Sequence, residues 1–267
     1  MARSDSLIPA PEDIDHYRIF GFLIIRSAFD PRPLAEEVDR VMGDGLVPPL
    51  DISGGEGFRY VPMMTAETPV SLSLLDRLEP LAAELLGGAV LPTRAKGVLY
   101  SGDTPWHGDS DVPLASLGIA AYLEPVKANT GALRVLPGSH RPEFARALAP
   151  MSGAAAESLP GHILETEPGD LILFDEHLFH GSCGGDLRRQ WRLDFLLDPA
   201  TAEAERHTRA YFADIYPSDW NGGYDVDHYP SYGPDWRRSG RRAAQRLEEL
   251  GVYRLADAQE AYSRSRQ

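Results

Sequence analysis

Between residues 89 and 198 the chain runs as short apolar or alternating segments cut by Gly, Pro, Asp and Asn, and this texture restricts the fold more than any other feature. Val98-Leu99-Tyr100, Ile119-Ala120-Ala121-Tyr122-Leu123, Leu133-Arg134-Val135-Leu136, Leu171-Ile172-Leu173-Phe174 and Trp191-Arg192-Leu193-Asp194-Phe195 are too short for helices and are bounded by turn residues. Strands of this length and spacing predict an antiparallel β sandwich or barrel. The stretch from Arg141 to Gly169 reads as a connecting excursion within it.

Helical patterns flank this core. Ile14, Tyr17 and Phe20 fall near helical spacing before Gly21, and Phe22-Leu23-Ile24-Ile25 then reads as a buried strand. Asp30 offers an N-cap ahead of Pro31, and Leu34, Val38, Val41 and Met42 mark a helix over about 31–43. Residues 43–64 carry no sustained periodicity and read as a long loop. Leucines at 72, 75, 78, 81 and 85 predict a helix broken or restarted at Pro80 and stopped by Gly87-Gly88. The segment from Pro199 onward is helical at both ends with an aromatic loop between.

A length of 267 residues suits one sizeable core, and no linker divides the chain, so a single domain over 1–267 with its β core at about 89–198 is expected. The formal net charge of −14 argues against nucleic acid as a partner. The opening residues lack the apolar run of a secretory signal, and no window approaches the ~18 apolar residues of a membrane span. A cytoplasmic protein without a membrane partner is therefore the expectation. The single cysteine, Cys183, permits no internal disulfide.

Chemistry concentrates in Thr104-Pro105-Trp106-His107-Gly108-Asp109, where an imidazole and a carboxylate lie two residues apart and share one side of an extended segment. Phe179-His180-Gly181-Ser182 supplies a second imidazole at a strand end. Two imidazoles and one carboxylate leave open positions on an octahedral ion, the set that non-haem Fe(II) oxygenases use. Histidines also stand at 16, 140, 162, 177, 207 and 228, so histidine alone marks nothing.

Four ordered blocks resemble the phytanoyl-CoA dioxygenase family of Fe(II)/2-oxoglutarate oxygenases: the His107-Gly108-Asp109 segment, Asn129 to His140, Pro168-Gly169-Asp170 with its following strand, and His180-Gly181-Ser182. The resemblance implies a mainly β fold with flanking helices, a cupin-like double-stranded β-helix or jelly roll. It implies His107, Asp109 and His180 as ligands of Fe(II), with 2-oxoglutarate and O2 as co-substrates. His140 is then a turn residue, and His177 competes with His180 only by proximity. Asp109 stands where halogenating relatives carry a small residue, which argues against halogenation.

The distal carboxylate of 2-oxoglutarate calls for an arginine, whose planar fork binds carboxylates bidentately. Arg188, Arg189 and Arg192 follow His180; on a strand 188 and 192 share a face while Trp191, Leu193 and Phe195 take the other, so parity disfavours Arg189. Arg192 is the first choice because Trp191-Arg192-Leu193 is similar to the start of that strand in many relatives, and Arg188 is the second. The resemblance places the Ser182 hydroxyl on the same carboxylate. Arg94 and Lys96, on the preceding strand with inward parity, are further candidates for 2-oxoglutarate or a substrate anion.

The implied reaction converts 2-oxoglutarate to succinate and CO2 while an unactivated C–H bond is oxidised, by hydroxylation or oxidative cyclisation. A small polar molecule is the expected substrate, in natural-product or antibiotic tailoring. Tyr211, Phe212, Tyr216, Trp220, Tyr224, Tyr229, Tyr232 and Trp236, interleaved with Asp214, Asp219, Asp225 and Asp227, either pack the tail onto the core or cover the mouth of the site. In the second case they suit a sugar or aminocyclitol. Acyl-CoA or amino-acid hydroxylation are the alternatives within the family. A cupin-like protein that only binds metal or ligand, or an interaction domain with a decayed iron site, are the alternatives outside it. Oligomeric state stays open.

Overall fold

The computed structural model describes residues 7–47, 57–215 and 223–264. Helix α1 (Pro11–Phe20) ends at Gly21, whose φ of 81° closes the helix through its N–H to the Tyr17 carbonyl. Strand β1 (Phe22–Ile25) follows, and α2 (Pro31–Gly45) starts where expected, with the Asp30 side chain accepting from the Arg32 N–H. The predicted 43–64 loop is interrupted: among its described residues Gly57–Pro62 forms strand β2, paired to the longest strand. Residues 48–56 of that loop lie outside the described residues.

Helix α3 (Pro69–Leu86) is continuous through Pro80, against the expectation of a break. A mid-helix proline costs ~3 kcal/mol, but Leu74, Leu75, Leu78, Leu81 and Leu85 bury one unbroken face on both sides of it. Several such side chains at ~1.5–3 kcal/mol each outweigh the missing hydrogen bond. The start of α3 is held by α2, because the Glu37 carboxylate accepts from the Val70 and Ser71 N–H groups at 2.9 and 2.8 Å.

The β core comprises β3 (Val90–Ser101), β4 (Thr104–His107), β5 (Ser116–Tyr122), β6 (Leu133–Val135), β7 (His162–Leu164), β8 (Leu171–Phe174), β9 (His180–Ser182) and β10 (Arg188–Leu197). Among the described residues it makes two antiparallel sheets, of order β1-β8-β5-β10-β3-β2 and β4-β9-β6-β7. The stretch from 141 to 169 contains α4 (Pro142–Leu148) and then β7, which pairs with β6, so the excursion returns as a strand of the smaller sheet.

Alternation along β10 divides the molecule into layers. Trp191, Leu193 and Phe195 point out of the large sheet into a core shared with α1, α2 and α3. The indole N–H of Trp191 donates to Ser71 Oγ of α3 at 2.8 Å. Between the sheets, Ala120, Tyr122, Ile172 and Phe174 meet Leu133, Val135 and Leu164. The inward β10 positions Arg188, Gln190, Arg192 and Asp194 are polar yet almost fully buried, so the sandwich is apolar at one end and charged at the other. The tail adds α5 (Ala202–Ile215), α6 (Pro234–Arg237), α7 (Arg242–Glu249) and α8 (Val252–Arg264) outside the large sheet. These are the sheets and flanking helices of a double-stranded β-helix. No helix among the described residues is long and apolar enough to cross a membrane.

Candidate active site

Strands β4 and β9 pair with His107 opposite His180, so the backbone register brings the two imidazoles together, with ring centroids 4.3 Å apart. Asp109, just past β4, completes the group, and all three ligating atoms lie within 4.8 Å of one another. The Asp109 N–H donates to the Glu176 carbonyl at 2.7 Å, which ties the turn after β4 to the loop before β9.

The ring orientations fit a metal. Nδ1 of His107 faces the Pro105 carbonyl and Nδ1 of His180 faces the Leu178 carbonyl, each at 2.8 Å. Carbonyls only accept, so each Nδ1 carries the proton and each Nε2 presents a lone pair. Those two Nε2 atoms lie 3.3 and 3.5 Å from Asp109 Oδ1. Burial pulls the His180 pKa down to about 4, so at neutral pH it is a neutral imidazole. Burial opposes charge at His107 as well, but the adjacent Asp109 outweighs it and raises that pKa. Asp109 itself is held well below the usual carboxylate range: burial works the other way, and His180 and Arg192 overcome it.

The other histidines stay apart. His177 is fixed between Asp175 Oδ1, at 2.8 Å, and the Val112 carbonyl, at 2.7 Å. His140 follows a turn and reaches the Arg18 carbonyl at 3.3 Å. Among the described residues His107, Asp109 and His180 are the one group of this kind.

The triad opens on a cavity of about 580 Å³, and the inward row of β10 lines its wall with Arg188, Gln190 and Arg192. Arg188 is 3% exposed. Its Nη2 donates to Ser182 Oγ at 3.0 Å, and its Nη1 to the Gly102 and Asp186 carbonyls at 3.0 and 3.3 Å. No carboxylate among the described residues reaches within 4.0 Å of it. Its Nε is buried without a partner.

Arg192, the first choice from sequence for the distal carboxylate, is placed differently. It donates to Asp109 Oδ2 at 2.8 Å, contacts Asp194 closely, and lies 3.7 Å from Glu176. Its guanidinium is saturated by carboxylates of the protein. Strand parity predicted that both arginines face inward; it gave no information on which was already paired. Arg189 points away, to Asp39 and Glu124, as parity required.

Arg94 and Lys96 line the same cavity beside Arg192. Register sets Arg94 opposite Asp194 and Lys96 opposite Arg192 across β3 and β10. Two buried groups escaped the sequence reading. Glu176 is 1% exposed, accepts from the Tyr211 hydroxyl at 3.0 and 3.1 Å, and has its pKa pushed up by burial and then by Asp194. Asp194, completely buried, gathers Arg192, Arg94 and Lys96. Its shared parity with Arg188 and Arg192 was the available signal; Glu176 had none.

Among the described residues, the aromatic side chains of the tail do not cover the mouth. Tyr211, Phe212, Tyr224, Tyr229, Tyr232 and Trp236 are all buried in the outer core, and none lines the cavity. They pack the tail onto the sheet, as apolar area favours. Tyr216, Asp219 and Trp220 lie outside the described residues, while Asp214 and Ile215, at the end of α5, do reach the cavity.

A jelly roll that sets two imidazoles and a carboxylate at the mouth of a buried, arginine-lined cavity belongs in class with mononuclear metal-dependent oxygenases. Residues 75–189 match the family model described as Phytanoyl-CoA dioxygenase (PhyH), a span that includes Arg188 and stops before Arg192. That match covers less than half of the 267 residues, and over it the chain is similar to the phytanoyl-CoA dioxygenase family.

Solved structures show the same fold at low identity. HygX from Streptomyces hygroscopicus, with nickel and 2-oxoglutarate bound, is 18% identical with a TM-score of 0.58, over 74% of this chain and 94% of that one. EctD from S. alaskensis, with 2-oxoglutarate and 5-hydroxyectoine, is 22% identical with a TM-score of 0.56, over 74% and 79%. SnoK, a non-heme alpha ketoglutarate dependent carbocyclase from nogalamycin biosynthesis, is 18% identical with a TM-score of 0.54, over 71% and 85%. The match to EvdMO1 spans 50% of that protein's length. No curated protein sequence matches this chain.

Proposed function

We propose that this protein is an Fe(II)- and 2-oxoglutarate-dependent oxygenase, a single domain that oxidises an unactivated C–H bond of a small polar molecule. His107, Asp109 and His180 hold the metal, and Arg188 with Ser182 anchors the distal carboxylate of 2-oxoglutarate. The observation that carries the second assignment is the buried Arg188 guanidinium, which has Ser182 beside it, an unpartnered Nε and no protein carboxylate in reach. A cation so placed is stabilised by an incoming carboxylate, whereas Arg192 already has three. Arg188 therefore replaces Arg192 in this role.

Bound iron with 2-oxoglutarate and O2 would supply the oxidising power for C–H cleavage. The chain's own work is positional. His107 and His180 keep their Nε2 lone pairs on one point because backbone carbonyls hold their Nδ1 protons. Arg192 occupies Asp109 Oδ2 and leaves Oδ1 toward the two imidazoles. Phe174, whose ring centroid lies 4.5 Å from the Arg192 guanidinium carbon, and Ala120 give that part of the wall an apolar lining.

Tailoring of a natural product is the favoured setting, supported by the kinship of fold with HygX and with SnoK of nogalamycin biosynthesis. The sugar or aminocyclitol reading loses its main support, since the aromatic side chains described in the tail are packed away from the cavity. The deciding experiment is succinate release from 2-oxoglutarate with Fe(II) and ascorbate across a panel of small polar substrates. Substrate-stimulated succinate that disappears in His107→Ala and His180→Ala supports the reading. Release at wild-type level in either variant overturns the ligand assignment.

A further inference from the structure

The cavity carries a second buried cation with an unfilled coordination sphere. Lys96 is 5% exposed, lines the cavity, and sits on β3 beside Arg192 and remote in register from Arg188, which pairs with Tyr100. Its Nζ can give three hydrogen bonds. Among the described residues it makes none: its closest carboxylate oxygen is Asp194 Oδ2 at 3.7 Å, and the Tyr60 ring lies 5.5 Å away. Asp194 is itself committed to Arg192 and, at 3.3 Å, to Arg94. An ammonium buried this deeply with no acceptor is costly unless something in the cavity completes it.

We propose that Lys96, flanked by Arg94, is the substrate-recognition subsite for an anionic oxygen group, so that the molecule oxidised carries a carboxylate or phosphate. It rests on 2-oxoglutarate occupying the Arg188 end, which leaves the Lys96 flank to the substrate. The two cations then divide the labour: Arg188 with Ser182 takes the co-substrate, and Lys96 orients the substrate from the adjoining strand. Burial, and then Arg94, draw Lys96 down to about 7, and a bound anion would restore its full charge. Asp103 and Asp214, which also line the cavity, are exposed while Lys96 is buried, so an anionic group is favoured beside Lys96 and not at the exposed carboxylates.

The chain has only two lysines, Lys96 and Lys127, which makes the test direct. The full-length protein is labelled with [ζ-15N, ε-13C]lysine, and Lys127→Arg assigns the two signals. Acetate and inorganic phosphate are titrated into protein loaded with Zn(II) and 2-oxoglutarate. The Lys96 signal should shift saturably with either probe, while exposed Lys127, paired to Glu167, should not saturate. Lys96→Met should weaken anion binding at least ~10-fold, with 2-oxoglutarate affinity by calorimetry changed less than ~3-fold.

A Lys96 signal indifferent to both probes overturns the proposal. So does one that moves on adding 2-oxoglutarate and then resists the anions, which would give Lys96 to the co-substrate. If the oxygenase reading itself fails, calorimetry registers no 2-oxoglutarate binding, and the anion titration still reports on Lys96.

Discussion

The Arg188 guanidinium donates to the Ser182 hydroxyl at 3.0 Å, joining the first residue of β10 to the last of β9. Both face the cavity that holds His180. Replacing Arg188 by Ala removes charge-assisted hydrogen bonds worth ~1.5–3 kcal/mol each, so 2-oxoglutarate should bind about 10- to 100-fold more weakly. Ser182→Ala should cost less, about 1 kcal/mol, since a neutral donor is lost. Calorimetric titration of 2-oxoglutarate into the Zn(II)-loaded protein measures both. An Arg188→Ala protein that binds as wild type does would return the anchor to Arg192.

Arg192 should act on the metal instead. Its Nη2 occupies Asp109 Oδ2, and without it the carboxylate is free to turn away from the imidazoles. Residues that orient a ligand in this way typically contribute 10- to 100-fold in metal affinity. Arg192→Met is expected to lower Co(II) affinity by about that factor, followed through the visible absorption of the bound ion. Unchanged Co(II) binding together with a large loss of 2-oxoglutarate affinity would reverse the roles of the two arginines.

How far the sequence disclosed this site depended on what each residue traded for its place. Strands β3, β5, β8 and β10 were legible because they carry an apolar run, as in Leu171 to Phe174, or an apolar rhythm, as in Trp191, Leu193 and Phe195. Strands β4 and β9 are three or four residues long and carry His107 and His180 where apolar residues would otherwise signal a strand. Only the resemblance brought them together. Asp194 and Glu176 lie in the interior, where carboxylates are rare, made tolerable by Arg192, Arg94 and the Tyr211 hydroxyl. Such compensation is set by three-dimensional register and has no local pattern. The tail was ambiguous in sequence, because aromatic residues interleaved with aspartates suit either packing or a binding mouth, and the fold spends the described ones, Tyr211, Phe212, Tyr224, Tyr229, Tyr232 and Trp236, on packing.

Glu37 gives a stability test away from the site. It serves as acceptor for the first N–H groups of α3, and it is buried, so Glu37→Ala leaves the Val70 and Ser71 donors unsatisfied. Caps of this kind contribute ~0.5–2 kcal/mol. Ser71 also receives the Trp191 indole, so the loss is expected at the upper end. A lowered urea midpoint with an unchanged m-value is the expected outcome, and a midpoint equal to wild type would show that water replaces the carboxylate without cost.

Asp170 predicts the acid side of the stability profile. Its carboxylate accepts from the Ser27 and Glu167 N–H groups at 2.8 and 3.1 Å and from Arg26 Nη1 at 2.7 Å. Burial raises its pKa, but these donors prevail and the pKa falls below its ordinary value. A carboxyl depressed in the folded state binds fewer protons than in the unfolded chain, so its contribution is complete above the unfolded pKa of ~3.9 and is lost as pH falls further. Asp170→Asn keeps the shape and removes the charge, and should destabilise the protein by about 1–3 kcal/mol at neutral pH. The difference between wild type and variant should shrink between about pH 4 and pH 2, as the wild-type carboxyl takes up its proton. Urea unfolding at stepped pH measures it, and a difference that stays constant across that window would remove Asp170 from the groups that set acid stability.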